Sequence, residues 1–419
     1  MNVTDRTGIV TSFSSKSELA LNLSTTRSAL TFIGYRAPIN TLDVSNSNTP
    51  SYVDPTNPVA ASYQRAIVEI DADRSLHVTP VNTYSGNNGR AASLNESYGQ
   101  HIYYTAGNAG NGSGTPPVFI VNNTGVQIAQ PNMTTAETTV VGVQQGTSGA
   151  AKGFQYGYSV TQYGTPPYSA DKSGKDDNFR GERIFNNTLY VTKGSGGNGI
   201  DTVFQVGATG TLPTLLTASS TQIAILPGFP IGLATNISTD PTSANFATTD
   251  LHPFGIWFAN ATTLYVADEG DGVNTTANAQ NPNGGLQKWT LSTGTWHLDY
   301  TLQNGLGLGA PYSIAGLDPS LYPATDGLRN LTGKVNRDGT ATIFAITSTI
   351  SNSGDQGADP NRLVSITDRL ATTGLPAHEH FHVLETAGFG QVLRGVAFAP
   401  SCGDEDRDQD DSRCLDRHK

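Results

Sequence analysis

The sequence predicts an all-β protein, a β-propeller of six blades built from four-stranded antiparallel sheets with long loop insertions. Three observations predict this fold class. A similar strand–turn–strand unit recurs along the chain, no stretch carries a sustained apolar period of 3.6 residues, and Gly, Pro, Thr and Val occur throughout. A long strand-rich repeat is typical of propeller blades. The six units begin at Thr25, Gly89, Asn178, His252, Leu328 and Val392.

The first five units each contain strands rich in β-branched and aromatic residues. The predicted strands cover residues 29–35, 65–71, 75–82, 99–107, 117–123, 188–194, 201–207, 262–270, 341–349 and 361–368, with a hairpin over 285–302. The sixth unit is shorter and offers strands at 380–387 and 392–400. Seven blades is the alternative, with residues 130–165 forming a blade of their own.

The chain divides into three parts. Residues 1–24 contain two weak strand candidates, which are expected to close the last blade because propellers commonly join both chain ends in one sheet. Residues 25–400 form the propeller. Residues 401–419 form an acidic tail with almost no apolar residues, for which no packed structure is expected.

The two cysteines, Cys402 and Cys414, both lie in the acidic tail. Their separation allows a local disulfide that would clamp the tail in an oxidising environment. Two free thiols are the alternative.

The composition excludes several function classes. The net charge of −11 argues against binding to nucleic acid or to anionic lipid, since both need clustered Lys and Arg. The sequence has no apolar run of 18 residues, so no membrane span is expected. Only 14% of the residues are charged, and a surface made polar by Ser, Thr, Asn and Gly is common in secreted β-proteins.

Eleven Asn-x-Ser/Thr sequons predict N-linked glycans and an extracellular or cell-surface location. The alternative is an unglycosylated bacterial protein with Asn-, Ser- and Thr-rich loops. The acceptor positions are Asn2, Asn22, Asn95, Asn111, Asn122, Asn132, Asn186, Asn236, Asn260, Asn274 and Asn330.

Two groups of side chains are candidate metal ligands. His378, His380 and His382 alternate, so a strand would place them on one face, where two imidazoles could share a transition metal. A solvated strand is the alternative. A second group, Asp268, Glu269 and Asp271, follows a strand in a Gly-rich turn and could hold Ca²⁺, or could be a solvated acidic turn.

Several phrases of the chain resemble one family. TLYVADEG followed by GGLQKWTL, together with GNNGRAAS, FNNTLYVTKG and LRGVAFAP, resemble large extracellular β-propeller proteins, mostly of bacterial surfaces and some eukaryotic, over about residues 25–400. The resemblance implies the fold and an extracellular location, but no catalytic residue. Family members usually carry more strand sequence before the position of Thr25, so this chain is expected to be short of a blade edge.

Two functions are consistent with these observations. The first is a non-enzymatic binding or structural protein of the extracellular surface, which binds a glycan or protein ligand or assembles with itself into fibres or arrays by strand addition. The alternative is a metal-assisted enzyme that acts on polysaccharides or lactones at the axial funnel. No nucleophile elbow, phosphate-binding loop or zinc-protease motif is present, so no catalytic residue is predicted.

Overall fold

Five antiparallel sheets are arranged as the blades of a propeller within the part of the chain that the structure describes. The structure is a computed structural model and describes residues 2–13, 15–114, 116–131, 135–142, 160–161, 177–194, 199–230, 251–273, 277, 284–351 and 357–401. Because the described residues form five sheets, the predicted count of six blades is wrong, and so is the alternative of seven. Residues 392–400 form no sheet, and residues 130–165 contribute short strands to two neighbouring sheets.

The first sheet includes both N-terminal strand candidates. Its strands are β1 (Ile9–Val10), β2 (Asn22–Leu23), β3 (Ala29–Arg36), β4 (Arg65–Asp71) and β5 (Leu76–Val81). Both β1 and β2 pair with β3, so the N-terminal strands complete the inner edge of this sheet. A short helix, α1 (Val3–Thr7), precedes them.

The second and third sheets follow the same antiparallel plan. The second contains β6 (Gly89–Asn95), β7 (Ile102–Gly107), β8 (Gly125–Ala129) and β9 (Thr139–Val140). The third contains β10 (Val160–Thr161), β11 (Glu182–Phe185), β12 (Thr188–Lys193), β13 (Thr202–Val206) and β14 (Ile223–Ile225). Only β10 is parallel to its neighbour, β14. A helical turn, α2 (Val118–Val121), replaces the strand predicted at 117–123.

The strands of the fourth and fifth sheets agree best with the strands predicted from the sequence. The fourth contains β15 (Pro253–Asn260), β16 (Thr263–Asp268), β17 (Gly285–Ser292) and β18 (Thr295–Leu302). The fifth contains β19 (Ala324–Val335), β20 (Thr340–Ile350), β21 (Arg362–Arg369) and β22 (His382–Thr386). The hairpin predicted over 285–302 is confirmed.

The hydrophobic core lies between neighbouring sheets. One cluster, which includes Ile33 and Tyr103, fills the space between the first and second sheets. A large cluster joins the second, third and fourth sheets, and another, centred on Tyr265 and Ile343, joins the fourth and fifth. Each fully buried apolar side chain contributes about 1.5–3 kcal/mol, so these contacts hold the blades in their order.

The helices in the described ranges are short. None of them has the length and apolar character needed to cross a membrane.

Candidate functional site

Six short backbone segments meet at the centre of the propeller, although the described residues form five sheets around it. Each segment contributes two consecutive residues at equivalent places in the repeats, and we call these pairs the axial ring. The pairs are Leu19–Ala20, Arg90–Ala91, Arg180–Gly181, Phe254–Gly255, Arg329–Asn330 and Arg394–Gly395.

Hydrogen bonds join successive members of the axial ring. Ala20 N donates to Arg90 O over 3.1 Å. Arg90 Nη1 then donates to Phe179 O, beside the next ring pair, over 2.7 Å. Between the fifth and sixth ring pairs, Asn330 Nδ2 donates to Arg394 O over 2.7 Å. This hydrogen bond fixes the sixth repeat in the ring, although residues 392–400 form no sheet.

Small residues let the other ring segments approach closely. A Cβ added at Gly181 would overlap the carbonyl oxygen of Phe254, and one added at Gly255 would lie 2.6 Å from Arg329 O. A Cβ at Gly395 would overlap the carbonyl oxygen of Leu19, at the start of the ring. Because backbone atoms cannot move aside, these three positions require glycine.

A small polar cavity of about 10 Å³ lies inside the axial ring, enough for a single water molecule. Asn22, Glu182, Gly255 and Asn330 are among the residues that line it. Both carboxyl oxygens of Glu182 are buried, and the hydroxyl group of Ser93 in β6 interacts with this carboxyl group. Burial raises the pKa of Glu182 to about 8, so the carboxyl group is largely protonated at neutral pH.

Charged side chains gather at one mouth of the axial ring, and we call them the axial charge cluster. The cluster combines five cationic groups and three carboxyl groups: Lys16, Arg90, Arg180, Arg329, Arg394, Glu18, Glu269 and Asp326. Four of the five cations are arginines of ring pairs.

One ion pair anchors the axial charge cluster. Arg329 Nε donates to Glu269 Oε2 over 3.0 Å, and both side chains are buried. Burial alone would raise the pKa of Glu269, but Lys16, Arg329 and Arg180 together lower it to about 2. Burial also lowers the pKa of Lys16 to about 8, although the charge of Glu269 opposes that shift.

The predicted calcium ligands occupy different environments. Asp268 Oδ2 accepts hydrogen bonds from His252 N and Gln287 Nε2, each over 2.9 Å. Its neighbour Glu269 belongs to the axial charge cluster, and Asp271 Oδ1 accepts from the backbone two residues on. The carboxylate of Asp268 therefore stabilises the turn, whereas that of Glu269 belongs to the ring.

The predicted histidine ligands lie at the outer edge of the fifth sheet. His382 begins β22, whereas His378 and His380 precede the strand, and all three are exposed. The rings of His380 and His382 lie side by side, with centroids 4.3 Å apart. Within the described ranges, no three His, Cys, Asp or Glu side chains are grouped in a way that could hold a metal ion.

The sequons fall into exposed and buried sets. The side chains of Asn22, Asn95 and Asn330 are buried, and their amide nitrogens donate to Ala92 O, Gln100 Oε1 and Arg394 O respectively. The side chain of Asn111 is half-buried. The exposed acceptors are Asn2, Asn122, Asn186 and Asn260. Outside the described residues lie the sequons at Asn132, Asn236 and Asn274. The two cysteines of the predicted disulfide, Cys402 and Cys414, lie outside them as well.

The sequence analysis did not predict the ring arginines as a site, although the repeats place them at equivalent positions. Arg90, Arg180, Arg329 and Arg394 stand at equivalent places in four of the six repeats, next to a small or polar residue. A charged residue repeated at the start of an inner strand indicates a shared axial environment, because the repeats converge only there.

Comparisons with known proteins do not assign this chain to a family. A scan against models of protein families finds no match, and a search of curated proteins finds no significantly similar sequence.

Proposed function

We propose that this chain is a binding and assembly protein of the extracellular surface that accepts a β-strand beside its last axial segment. One observation carries the proposal. The backbone N–H and C=O groups of residues 395–399 make no hydrogen bond within the described part of the chain. We call residues 395–399 the open segment. An extended backbone with unpaired groups is a template for strand addition.

The surroundings of the open segment are suited to a protein partner. It lies between the fifth and first sheets, held by Asn361, which bonds both the N–H and the C=O of Leu393, and by the bond from Ser401 N to Arg27 O. Phe398 contacts Phe344 of β20 edge-to-face, with centroids 5.8 Å apart. Both rings are only half-buried, so an added strand would gain apolar contacts as well as hydrogen bonds.

The complete blades indicate the chemistry of the missing strand. In the third and fourth sheets the strand beside the innermost one reads Thr-Leu-Tyr-Val, in β12 and again in β16. A strand of this kind alternates apolar side chains between two sheet faces. The partner of the open segment is therefore an extended segment of alternating β-branched and aromatic residues, from another copy of the chain or another surface protein.

The exposed sequons support an extracellular location. Asn2, Asn122, Asn186 and Asn260 are distributed over the surface, and none of them is part of the open segment. Glycans at these positions would leave the open segment free for a partner. The family resemblance of the blade phrases is consistent with this location.

A peptide-binding experiment tests the proposal. A labelled peptide with the sequence of residues 262–268 is titrated into the protein, and fluorescence anisotropy gives its affinity. The matched control peptide carries N-methyl groups on alternate residues, which removes the N–H donors of one edge without changing the side chains. Binding of the first peptide alone supports strand addition, whereas equal binding or no binding of both contradicts it.

Electron microscopy of the native material tests self-assembly. Fibres or arrays that disperse when the unmodified peptide is added are the expected result. Monodisperse single particles would contradict assembly between copies and leave a different surface protein as the partner to be sought with the peptide assay.

A further inference from the structure

We infer that the imidazole rings of His380 and His382 form a binding site for a transition-metal ion, with Cu²⁺ and Ni²⁺ as the preferred ions. The inference is independent of the open segment. It rests on the spacing of the two rings, on the backbone contacts that hold them in place, and on a hydrogen bond that selects the metal-binding nitrogen of His380.

The side chains that lead into β22 alternate between two faces of an extended chain. Glu379 is half-buried and Phe381 is buried. The histidines on either side of them, His378, His380 and His382, are exposed. Residues two apart on an extended chain point to the same face, so the imidazoles lie together on the solvent side of the fifth sheet.

The spacing of His380 and His382 suits one shared ion. Their ring centroids lie 4.3 Å apart, and the ring planes are inclined at 57°. Imidazole nitrogens bind metals at about 2.0–2.1 Å, so two rings in adjacent coordination positions have centroids about 4.5–5 Å apart. A small rotation of the exposed rings therefore brings one nitrogen of each onto the same ion. Among the residues that the structure describes, no group of three ligands forms here, so water completes the coordination.

Asn304 holds the backbone on both sides of His380. Its side-chain Nδ2 donates to Glu379 O over 3.1 Å, and its backbone carbonyl oxygen accepts from Phe381 N over 2.8 Å. His382 is held in turn by its antiparallel pairing with β21. Because these contacts fix the backbone before an ion arrives, less conformational freedom is lost on binding.

A hydrogen bond selects the nitrogen of His380 that binds the ion. His380 Nδ1 lies 3.4 Å from the carbonyl oxygen of His378, and a carbonyl oxygen only accepts, so Nδ1 carries the ring proton. The lone pair of the neutral ring is then on Nε2, which points away from the backbone bond and is the metal ligand. Imidazoles that bind metals usually donate their other ring N–H in this way.

The ligand set favours late first-row divalent ions. Imidazole is a good ligand for Cu²⁺, Ni²⁺ and Zn²⁺, and the affinity of a given nitrogen site is highest for Cu²⁺. Two rings in adjacent positions fit the square-planar geometry of Cu²⁺ and Ni²⁺, whereas Zn²⁺ sites usually take three or four protein ligands. Mg²⁺ prefers oxygen ligands, so this pair should not bind it.

Isothermal titration calorimetry of the untagged full chain tests the inference. The probes are the chlorides of Cu²⁺, Ni²⁺ and Zn²⁺, and magnesium chloride is the control for general attraction of cations to an acidic chain. We expect binding to weaken from Cu²⁺ to Ni²⁺ to Zn²⁺. Electron paramagnetic resonance of the Cu²⁺ complex should show hyperfine coupling to two nitrogens. Absence of Cu²⁺ binding, or equal binding of Cu²⁺ and Mg²⁺, would overturn the inference.

Variants locate the site. His380→Asn and His382→Asn each remove one imidazole from an exposed position, so the fold should be retained, and each should weaken Cu²⁺ binding by about tenfold or more. The nitrogen coupling should fall from two rings to one. The matched control is His297→Asn, an exposed histidine of β18, which should leave binding unchanged. Equal Cu²⁺ affinity in His382→Asn and His297→Asn would overturn the assignment.

Discussion

Asn330 Nδ2 donates a 2.7 Å hydrogen bond to the backbone carbonyl oxygen of Arg394, and this bond joins the fifth sheet to the last axial segment. Among the described residues, no sheet hydrogen bonds hold residues 392–400, so side-chain amides take over that role at this position. Asn361 acts in the same way, because it both donates to and accepts from the backbone of Leu393. The ring is thus closed by side chains where the other repeats have strands.

Replacing Asn330 with Ala should loosen this closure. The variant leaves Arg394 O without its donor and should lower the free energy of unfolding by about 1–2 kcal/mol, as measured by urea denaturation. Asn122→Ala is the matched control, since Asn122 is exposed, and it should change stability by less than about 0.5 kcal/mol. Equal effects would show that the amide bond does not secure the last segment.

Glycine at 181 should be essential for ring packing. Gly181→Ala places a Cβ against the carbonyl oxygen of Phe254, and the two backbones would have to separate. We expect a loss of about 3 kcal/mol or more, or failure to fold. Gly374→Ala is the control, because nothing lies within 4 Å of the added Cβ. Its thermal midpoint should stay near that of the wild type, and a similar loss in both variants would contradict the ring geometry.

Much of the fold could be predicted because the strand signal is local. The predicted strand at 65–71 coincides with β4, and the hairpin over 285–302 has its turn at Thr293 and Gly294, both with positive φ. Alternating apolar residues and turn chemistry are sufficient for such elements. The blade count could not be predicted in the same way, because residues 392–400 have the sequence of an inner strand but have no sheet partner among the described residues.

The strand predicted at 117–123 shows where local patterns fail. Pro117 begins a helical turn there, and the N–H groups of Ile120 and Val121 bond to its carbonyl oxygen. Ile120 and Val121 are buried while Val118 and Phe119 are exposed, which is a helical and not an alternating pattern. A short apolar run does not distinguish the two structures.

The axial charge cluster could not be predicted as a site for a related reason. Its members come from distant parts of the chain, and Lys16 and Glu269 become neighbours only through ring closure. The sequence shows where each arginine stands in its repeat, but the number of repeats that converge depends on the tertiary fold. The candidate calcium ligand Glu269 was assigned to its local turn, whereas its ion-pair partner Arg329 lies in the next blade.

Stability should fall with rising pH because of Glu182. Its pKa is about 8 in the folded protein, raised by burial from an ordinary value near 4.5. The protonated form therefore stabilises the fold fully below pH 4.5, and this contribution is lost as the pH rises through 8. Glu182→Gln should keep the neutral form at every pH, so the variant should gain stability relative to the wild type between pH 5 and 9.

Urea denaturation of the wild type and Glu182→Gln at pH 5, 7 and 9 measures this difference. Glu385→Gln is the control, since Glu385 is an exposed residue of β22. A difference between the wild type and Glu182→Gln that does not change with pH would contradict a buried, proton-holding carboxyl group at the axis.

Glycan occupancy should follow exposure. After expression in a eukaryotic secretory pathway, we expect glycans at Asn2, Asn122, Asn186 and Asn260, and none at Asn22, Asn95 or Asn330, whose amide groups are buried and hydrogen-bonded. Mass spectrometry of glycopeptides, with and without enzymatic deglycosylation, measures each position. Full occupancy of the buried set would contradict the packing of the ring and of the second sheet.

The buried pair Lys288–Asp368 should be the most sensitive polar contact between the fourth and fifth sheets. Lys288 Nζ lies 3.0 Å from Asp368 Oδ2, and neither side chain is exposed. It also donates to Tyr300 Oη, Arg369 O and Thr372 O. Lys288→Met would leave the carboxylate buried without its cation, so we expect a loss of about 3–5 kcal/mol.

A double-mutant cycle separates this pair from general damage to the core. Asp368→Asn in the background of Lys288→Met removes the uncompensated charge and should recover part of the lost stability, with a coupling of about 1–3 kcal/mol. Lys334→Met, at an exposed position of β19, is the matched control and should be nearly neutral. If the effects of the two changes at 288 and 368 simply add, the pair is not an energetic unit, and packing of the lysine stem accounts for the loss.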